Sequence, residues 1–297
     1  MRFGLTSPVV TLTPRGHAPW EESAGPDELR RIAEAADRLG YHHLTCSEHV
    51  GIPTEAVPVR GGRYYDPLAT FGYLAAFTRT IRLATHVVVL PYHHPLEIAK
   101  RYGTLDRISG GRLVLGVGVG SLEEEFRLLG AEFEGRGRLY EDGLRALRAA
   151  MSQSRPSYRG THFSFDGFTV DPCAVQPRVP IWIGGRSERS LRRALEFADG
   201  WDPFGLGCAE IGEMVKRHRA RAVWKEREDK GESFELVFQP ERNFDLTTSE
   251  GLDRALRTCR DYAAVGATVL SVRFRSSTLE QLLEQLEVAA ERLFPEF

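Results

Sequence analysis

Four stretches of the chain combine residues able to move protons or bind anions. In Cys46-Ser47-Glu48-His49 an imidazole follows a carboxylate, and such a pair works as a general acid or base near neutral pH, His49 exchanging the proton and Glu48 orienting or tuning it. The competing reading is a solvated pair leading into the loop that opens at Gly51. Cys46 lies in the same run, yet nothing beside it supplies the cation or helix terminus that activates a thiol. His86 stands mid-strand in Leu83-Ala-Thr-His-Val-Val-Val-Leu90, where it either hydrogen-bonds within the core or faces a ligand in a barrel mouth. His42-His43 and His93-His94 invite a metal reading, but adjacent residues on a strand face opposite sides and no HExxH spacing occurs, so no metal is expected.

Two glycine-rich turns could hold an anion. Gly116, Gly118 and Gly120 alternate at the end of a buried run, and Ser121-Leu-Glu-Glu124 then reads as a capping box opening a helix. Glycines there admit a close neighbour to the backbone, which suits an ordinary strand-to-helix turn and a cofactor cradle equally. The GxGxxG/A dinucleotide fingerprint fails at Ser121. The second turn, Ile181-Trp-Ile-Gly-Gly-Arg-Ser187, runs a short strand into Gly184, Gly185 and a helix with Ser187 as its N-cap. Free N–H groups at a helix start bind anions, and Arg186, Arg189, Arg192 and Arg193 crowd the first turns, against the macrodipole unless an anion sits there. Late βα loops of barrels often carry such phosphate sites. Pairing with Glu188 and Glu196 is the alternative. Asp106 reads as structural, ordering the Ser109-Gly-Gly turn by local hydrogen bonds.

These residues lie at the ends of short apolar runs that alternate with helical patterns. Strands are expected at Arg2–Thr6, Tyr41–Ser47, Ile81–Leu90, Arg112–Val119, Pro180–Ile183, Gly200–Pro203, Phe234–Pro240 and Ala267–Phe274. Helices are expected at Asp27–Leu39, Pro67–Phe77, Pro95–Ile108, Leu122–Leu129, Arg138–Met151, Glu188–Ala198, Ala209–Lys230, Gly251–Val265 and Leu279–Leu293. The first shows why: Leu29, Ile32, Ala33, Ala36 and Leu39 form one stripe, and Gly40 ends it. Eight strand–helix units predict an α/β fold, a (β/α)8 TIM barrel forming one domain over 1–297, with a doubly wound sheet as competitor. The loop Gly51–Gly62 and a hairpin within Pro156–Pro180 read as insertions able to shape a pocket.

Composition narrows the function. With 39 Lys and Arg against 41 Asp and Glu, net charge −2, the chain has no polyanion-binding excess, so nucleic acid is not expected as partner. Four cysteines without a CxxC pair suggest neither a disulfide framework nor a zinc site. No leader-like start and no run of 18 apolar residues occurs, which points to a cytoplasmic protein without membrane contact.

Taken in order, several motifs resemble the bacterial luciferase-like family of flavin- and deazaflavin-dependent oxidoreductases. They are Asp66-Pro67, Ile81–Pro91, His94-Pro95, Thr104–Gly120, Glu125-Phe126, Arg136-Gly-Arg138, Pro180–Gly185 and Ala198-Asp-Gly-Trp201. The resemblance covers residues 1–205 and looks closest to the branch using coenzyme F420, an 8-hydroxy-5-deazaflavin, with FMN as the alternative cofactor. It implies a barrel binding the cofactor at the strand C-termini, Glu48 and His49 beside the ring, and His86-Val87 as a cis-peptide bulge against it. It places Gly118, Gly120 and Ser121 near the ribityl chain, and Gly184, Gly185, Arg186, Ser187 and Arg189 at the phosphate. Ser121 stands where some members carry a glutamate proton donor, and His86 where a small residue is usual, so a different substrate is implied. The expected activity is hydride transfer between F420 and a small organic substrate by a homodimer joined through the Phe71–Phe77 helix. The alternative is an FMN-dependent monooxygenase fed by a partner reductase.

Overall fold

The computed structural model describes residues 1–14 and 16–297. Its centre is a ring of parallel strands: β1 (Arg2–Leu5), β2 (His43–Cys46), β3 (Arg82–Thr85, continuing as Val88–Val89), β4 (Leu113–Gly118), β5 (Ile181–Gly184), β6 (Gly200–Asp202), β7 (Glu235–Phe238) and β8 (Val269–Val272). Each pairs with the next in chain order, and Arg2–Leu5 of β1 registers against Val269–Val272 of β8. The sheet is therefore closed, a (β/α)8 TIM barrel with no free edge. The expected third strand is interrupted by a cis peptide bond between His86 and Val87.

The α-helices longer than four residues are α1 (Pro26–Arg38), α2 (Pro67–Ala75), α3 (Pro95–Ser109), α4 (Glu123–Leu128), α5 (Arg136–Ala150), α6 (Glu188–Phe197), α7 (Cys208–Arg219), α8 (Ala222–Asp229), α9 (Ser249–Ala264) and α10 (Leu279–Val288). In α1 the predicted stripe of Leu29, Ile32, Ala33 and Ala36 is buried against the sheet, and Gly40 follows at φ +77°. The expected helix Ala209–Lys230 is two: the chain turns at Arg221, which brings Trp224 onto Phe234 at 5.6 Å between ring centres. The Ser121 capping box is not formed. Leu122 is the N-cap of α4, without a side-chain cap, because the helix starts one residue late.

Alternation along the strands divides the core in two. Ala84, Val114, Trp182, Val237 and Val269, one from each of five strands, pack together inside the barrel, while the larger outer set fills the space beneath the helices. Gly4 leaves room for the inward His43 ring, which meets Trp182 edge-on at 5.2 Å. The alternating glycines serve a similar purpose. A Cβ on Gly118 or Gly184 would meet the Val87 methyls at 2.6 and 2.8 Å, and one on Gly116 would lie 1.9 Å from the Thr85 carbonyl oxygen. The close neighbour that Gly118 and Gly184 admit is the chain's own Val87, and at Gly116 it is the backbone of Thr85. The predicted hairpin exists, Tyr158–Arg159 against Ser164–Phe165. It belongs to a helix-to-strand connection, so it covers the outside of α3 and α5, with Tyr158 donating to Asp142 and Phe163 against His94.

Because the obstacle at Gly116 is backbone, Gly116→Ala is expected to cost about 1–3 kcal/mol. Gly72→Ala, in α2 with nothing within 4 Å of the added carbon, is expected to stabilise by about 0.5–1 kcal/mol. Urea unfolding midpoints check both, and equal midpoints would refute the packing role of Gly116.

Candidate active site

The C-terminal ends of the strands open into a cavity of about 1050 Å³, the size of a cofactor-plus-substrate site. Glu48, His49, His86, Val87, Gly118, Gly120, Ser121, Gly184, Gly185, Arg186 and Ser187, all singled out from the sequence, stand on its wall. Arg189 does not: it points outward from the first turn of α6 and is exposed. The hairpin also contributes nothing to the wall, which draws instead on Val59, Arg60 and Tyr64 and on residues after β7 and β8.

The expected partnership of Glu48 with His49 is replaced by two separate pairs. His49 Nδ1 lies 2.8 Å from Glu125 Oε2 on α4, a side chain with no exposed surface. Glu125 also accepts from Tyr92 Oη at 2.9 Å and from the Val50 and Gly51 N–H groups at 2.6 and 3.2 Å. With Nδ1 so engaged, His49 Nε2 is the ring nitrogen left for chemistry, and the Tyr64 ring packs edge-on at 4.5 Å. Burial alone would raise the Glu125 pKa, but the His49 bond and charge, then Gly51 and Tyr92, outweigh it and hold it below the usual carboxylate range.

Glu48 serves the third strand. Its Oε1 lies 2.8 Å from His93 Nε2, its Oε2 accepts from Val89 N at 2.7 Å, and Ser47 Oγ donates to the His86 carbonyl at 2.6 Å. The end of β2 thereby clamps the segment around the cis bond. His93 is thus a hydrogen-bonding partner, and His94 is the N-cap of α3, accepting from Leu96 N. Among the described residues no three His, Cys, Asp or Glu side chains gather as a metal site. Burial pushes the Cys46 thiol up to about 12, which makes it inert as a nucleophile.

His86 faces the cavity, with Nε2 3.3 Å from Asp202 Oδ2 at the end of β6. Burial disfavours its charged ring, yet the Asp202 charge and hydrogen bond outweigh this and raise its pKa above 6.5. Among the described residues Asp202 Oδ1 is buried without a partner, an acceptor that a ligand N–H or O–H would satisfy.

At the other end of the cavity Gly185, at φ +116°, turns the chain into α6. Ser187 and Ser190 cap each other, each N–H donating to the other's hydroxyl at 3.2 Å, and the remaining first-turn N–H groups have no intrahelical acceptor. Arg192 and Arg193 lie near Glu141 at 4.0 and 2.8 Å, so pairing accounts for part of the arginine cluster. Arg193 and Arg136 nonetheless reach the wall. Arg136 is held by the Gly120 carbonyl at 3.2 Å and lies 3.5 Å over Phe133. This end follows the fifth strand, so it is not one of the last loops that barrel phosphate sites prefer. Asp106 holds the 175–176 backbone through one carboxylate oxygen and Leu113 N through the other. It is structural, as expected, but ties down a distant loop in place of the Ser-Gly-Gly turn.

Site residues not read from the sequence are Glu125, Tyr92, Asp202 and Ser271. Glu125 stood one residue beyond the supposed capping glutamate, and only the resemblance had marked it.

A family model described as luciferase-like monooxygenase matches residues 1–292, and the chain belongs to that family. The 4-hydroxyprotoasukamycin monooxygenase of Streptomyces nodosus subsp. asukaensis is 31% identical over 178 residues, 60% of this chain and 43% of that protein. The match therefore spans less than half of that relative's length. A monooxygenase from Streptomyces bottropensis has the same fold, TM-score 0.76 at 23% identity over 99% of both chains. So does the coenzyme F420-dependent tetrahydromethanopterin reductase of Methanopyrus kandleri, TM-score 0.68 at 15% identity over 100% of this chain and 99% of that one. Among the described residues no helix is long and apolar enough to cross a membrane.

Two titrations follow from the paired groups. The depressed Glu125 pKa contributes stability fully above the ordinary value of 4.5 and loses it as pH falls through the native value. Urea midpoints measured from pH 6 downward are expected to fall less steeply in Glu125→Gln; parallel curves would refute the assignment. The raised His86 pKa contributes stability below 6.5 that is lost as pH rises through the native value. Asp202→Asn is expected to lower the His86 midpoint in a histidine-ring NMR titration.

Proposed function

We propose that the protein is an F420-dependent oxidoreductase acting on a small organic substrate. The observation that carries this reading is the polarity of the cavity. One wall holds His49 in a single hydrogen-bonded orientation. The other end offers a helix start with Arg136, Arg186 and Arg193, which suits a phosphate followed by further acidic groups. Among the described residues the wall carries six arginines, Arg60, Arg136, Arg186, Arg193, Arg242 and Arg273, against two carboxylates, Glu48 and Asp202.

When bound, the reduced deazaflavin supplies a hydride to a substrate carbon. His49 Nε2 gives the proton that the substrate oxygen gains, or removes it in the reverse direction. Glu125 fixes the orientation of the imidazole, the role first assigned to Glu48. Val87, seated on Gly116, Gly118 and Gly184, gives the cavity an apolar floor that excludes water. Asp202 Oδ1 accepts a hydrogen bond from the ligand. The second reading, an FMN-dependent monooxygenase with a partner reductase, is favoured by the two monooxygenases similar to this chain.

His49→Asn is expected to lower turnover by about 10²–10⁴-fold with cofactor affinity kept within about tenfold, because only proton transfer is removed. The cofactor is decided by titrating the protein with F420 and FMN side by side, following fluorescence quenching. Micromolar F420 binding with much weaker FMN binding supports the first reading. The reverse preference overturns it in favour of the second.

A further inference from the structure

A chain of polar groups crosses the barrel floor and ends in the same cavity. Ser271 on β8 is 2% exposed yet contributes to the cavity wall. Its Oγ lies 3.0 Å from His43 Nε2, and His43 Nδ1 lies 3.0 Å from His42 Nδ1. The far nitrogen, His42 Nε2, lies 3.1 Å from Arg2 Nη1 at the opposite end of the barrel. Arg2 is gripped by Glu235 Oε1 at 2.7 Å, and Glu235 Oε2 accepts from the Trp182 indole at 2.7 Å. The two histidines touch because His42 precedes β2 and escapes the strand alternation that should have parted them.

The direction of each bond follows from what each group can donate. A guanidinium has no acceptor, so His42 Nε2 must accept from Arg2. Burial, then the charges of Arg2 and Arg82, lower the His42 pKa to about 3, so the ring is neutral and its proton is on Nδ1. That N–H donates to His43 Nδ1, which is therefore bare. His43 is fully buried and its pKa is also pushed down, first by burial and then by His42, so its proton is on Nε2 and is donated to Ser271 Oγ. Among the described residues nothing accepts the hydroxyl hydrogen of Ser271.

We propose that Ser271 is a fixed hydrogen-bond donor to a carbonyl oxygen or bare ring nitrogen of the molecule in the cavity, and that Arg2 sets this polarity from the far face of the barrel through His42 and His43. The inference rests on the reading of the cavity as a cofactor and substrate site. It makes Ser271 a specificity residue: a ligand presenting a bare acceptor at this point receives the hydroxyl hydrogen, whereas one presenting N–H leaves that hydrogen unpaired and is disfavoured. Arg2, His42 and His43 are positioning residues.

The polarity is tested without any ligand by ring-nitrogen NMR of protein labelled with ¹⁵N-histidine. The expected result is a proton on Nδ1 of His42 and on Nε2 of His43; the reverse pair of tautomers overturns the proposal. In Arg2→Met, His42 is expected to exchange between tautomers. Ser271→Ala is expected to weaken binding of F420, or of FMN if that is the ring the protein takes, by about 3- to 10-fold. Arg2→Met, on the outer face, is expected to weaken the same binding by about 2- to 5-fold. Affinity unchanged in both variants overturns the role, since a purely structural chain would leave it untouched. Should the unaltered protein bind neither ring, the functional reading fails, while the ring-nitrogen shifts still decide the polarity.

Discussion

A carboxylate with no exposed surface, Glu125, fixes where the His49 imidazole stands. Burying a charge is costly unless its hydrogen bonds are made, and here each oxygen has two donors within 3.2 Å. The donors come from the loop after β2, from the turn after the third strand through Tyr92, and reach a residue of α4. Three consecutive strand–helix loops are thus tied at one point. Neither His49 nor Tyr92 can shift without leaving part of a buried charge unpaired, which is a stronger constraint than packing alone would impose.

The other constraint is steric and comes from residues with nothing to offer chemically. Val87 projects into the barrel where Gly116, Gly118 and Gly184 approach from two neighbouring strands, and a methyl group at any of the three positions would meet an atom within 3 Å. Ser47 and Glu48 hold the same segment from the side of β2. A glycine pattern that also reads as a phosphate cradle is, at Gly116 and Gly118, a packing requirement of the third strand. At Gly184 and Gly185 both demands coincide: the first makes room for Val87, and the second turns the chain toward the N-terminus of α6.

Nearly all of the barrel was legible in the sequence because each unit carries its own period: two along the strands, 3.6 along the helices, with Gly40 and Ser187 at the boundaries. The break at Arg221 was not legible, since no glycine or proline marks it. The site divided the same way. Residues at strand ends were placed on the cavity wall by position alone, and Arg189 failed because its direction depends on the phase of α6. Pairings were the hardest part. Adjacency in sequence suggested Glu48 for His49, but successive residues leaving a strand diverge, so each found its partner across a loop, Glu48 at His93 and His49 at Glu125.

These arrangements give the cavity a direction. Proton-handling groups lie on the loops after β2 and β4, and cationic groups and the helix start on the side of β5 and α5. Under the proposed function an elongated anionic cofactor has one favourable orientation, ring toward His49 and charge toward Ser187. What remains of the wall is supplied by the loop carrying Val59, Arg60 and Tyr64 and by Gln239, Arg242 and Asn243 after β7. Apart from Tyr64, whose ring packs on His49, none of these residues enters, among the described residues, the hydrogen-bond networks around Glu125 or His43. They can change without breaking the buried hydrogen bonds that hold His49, so under the proposed function substrate choice falls to them.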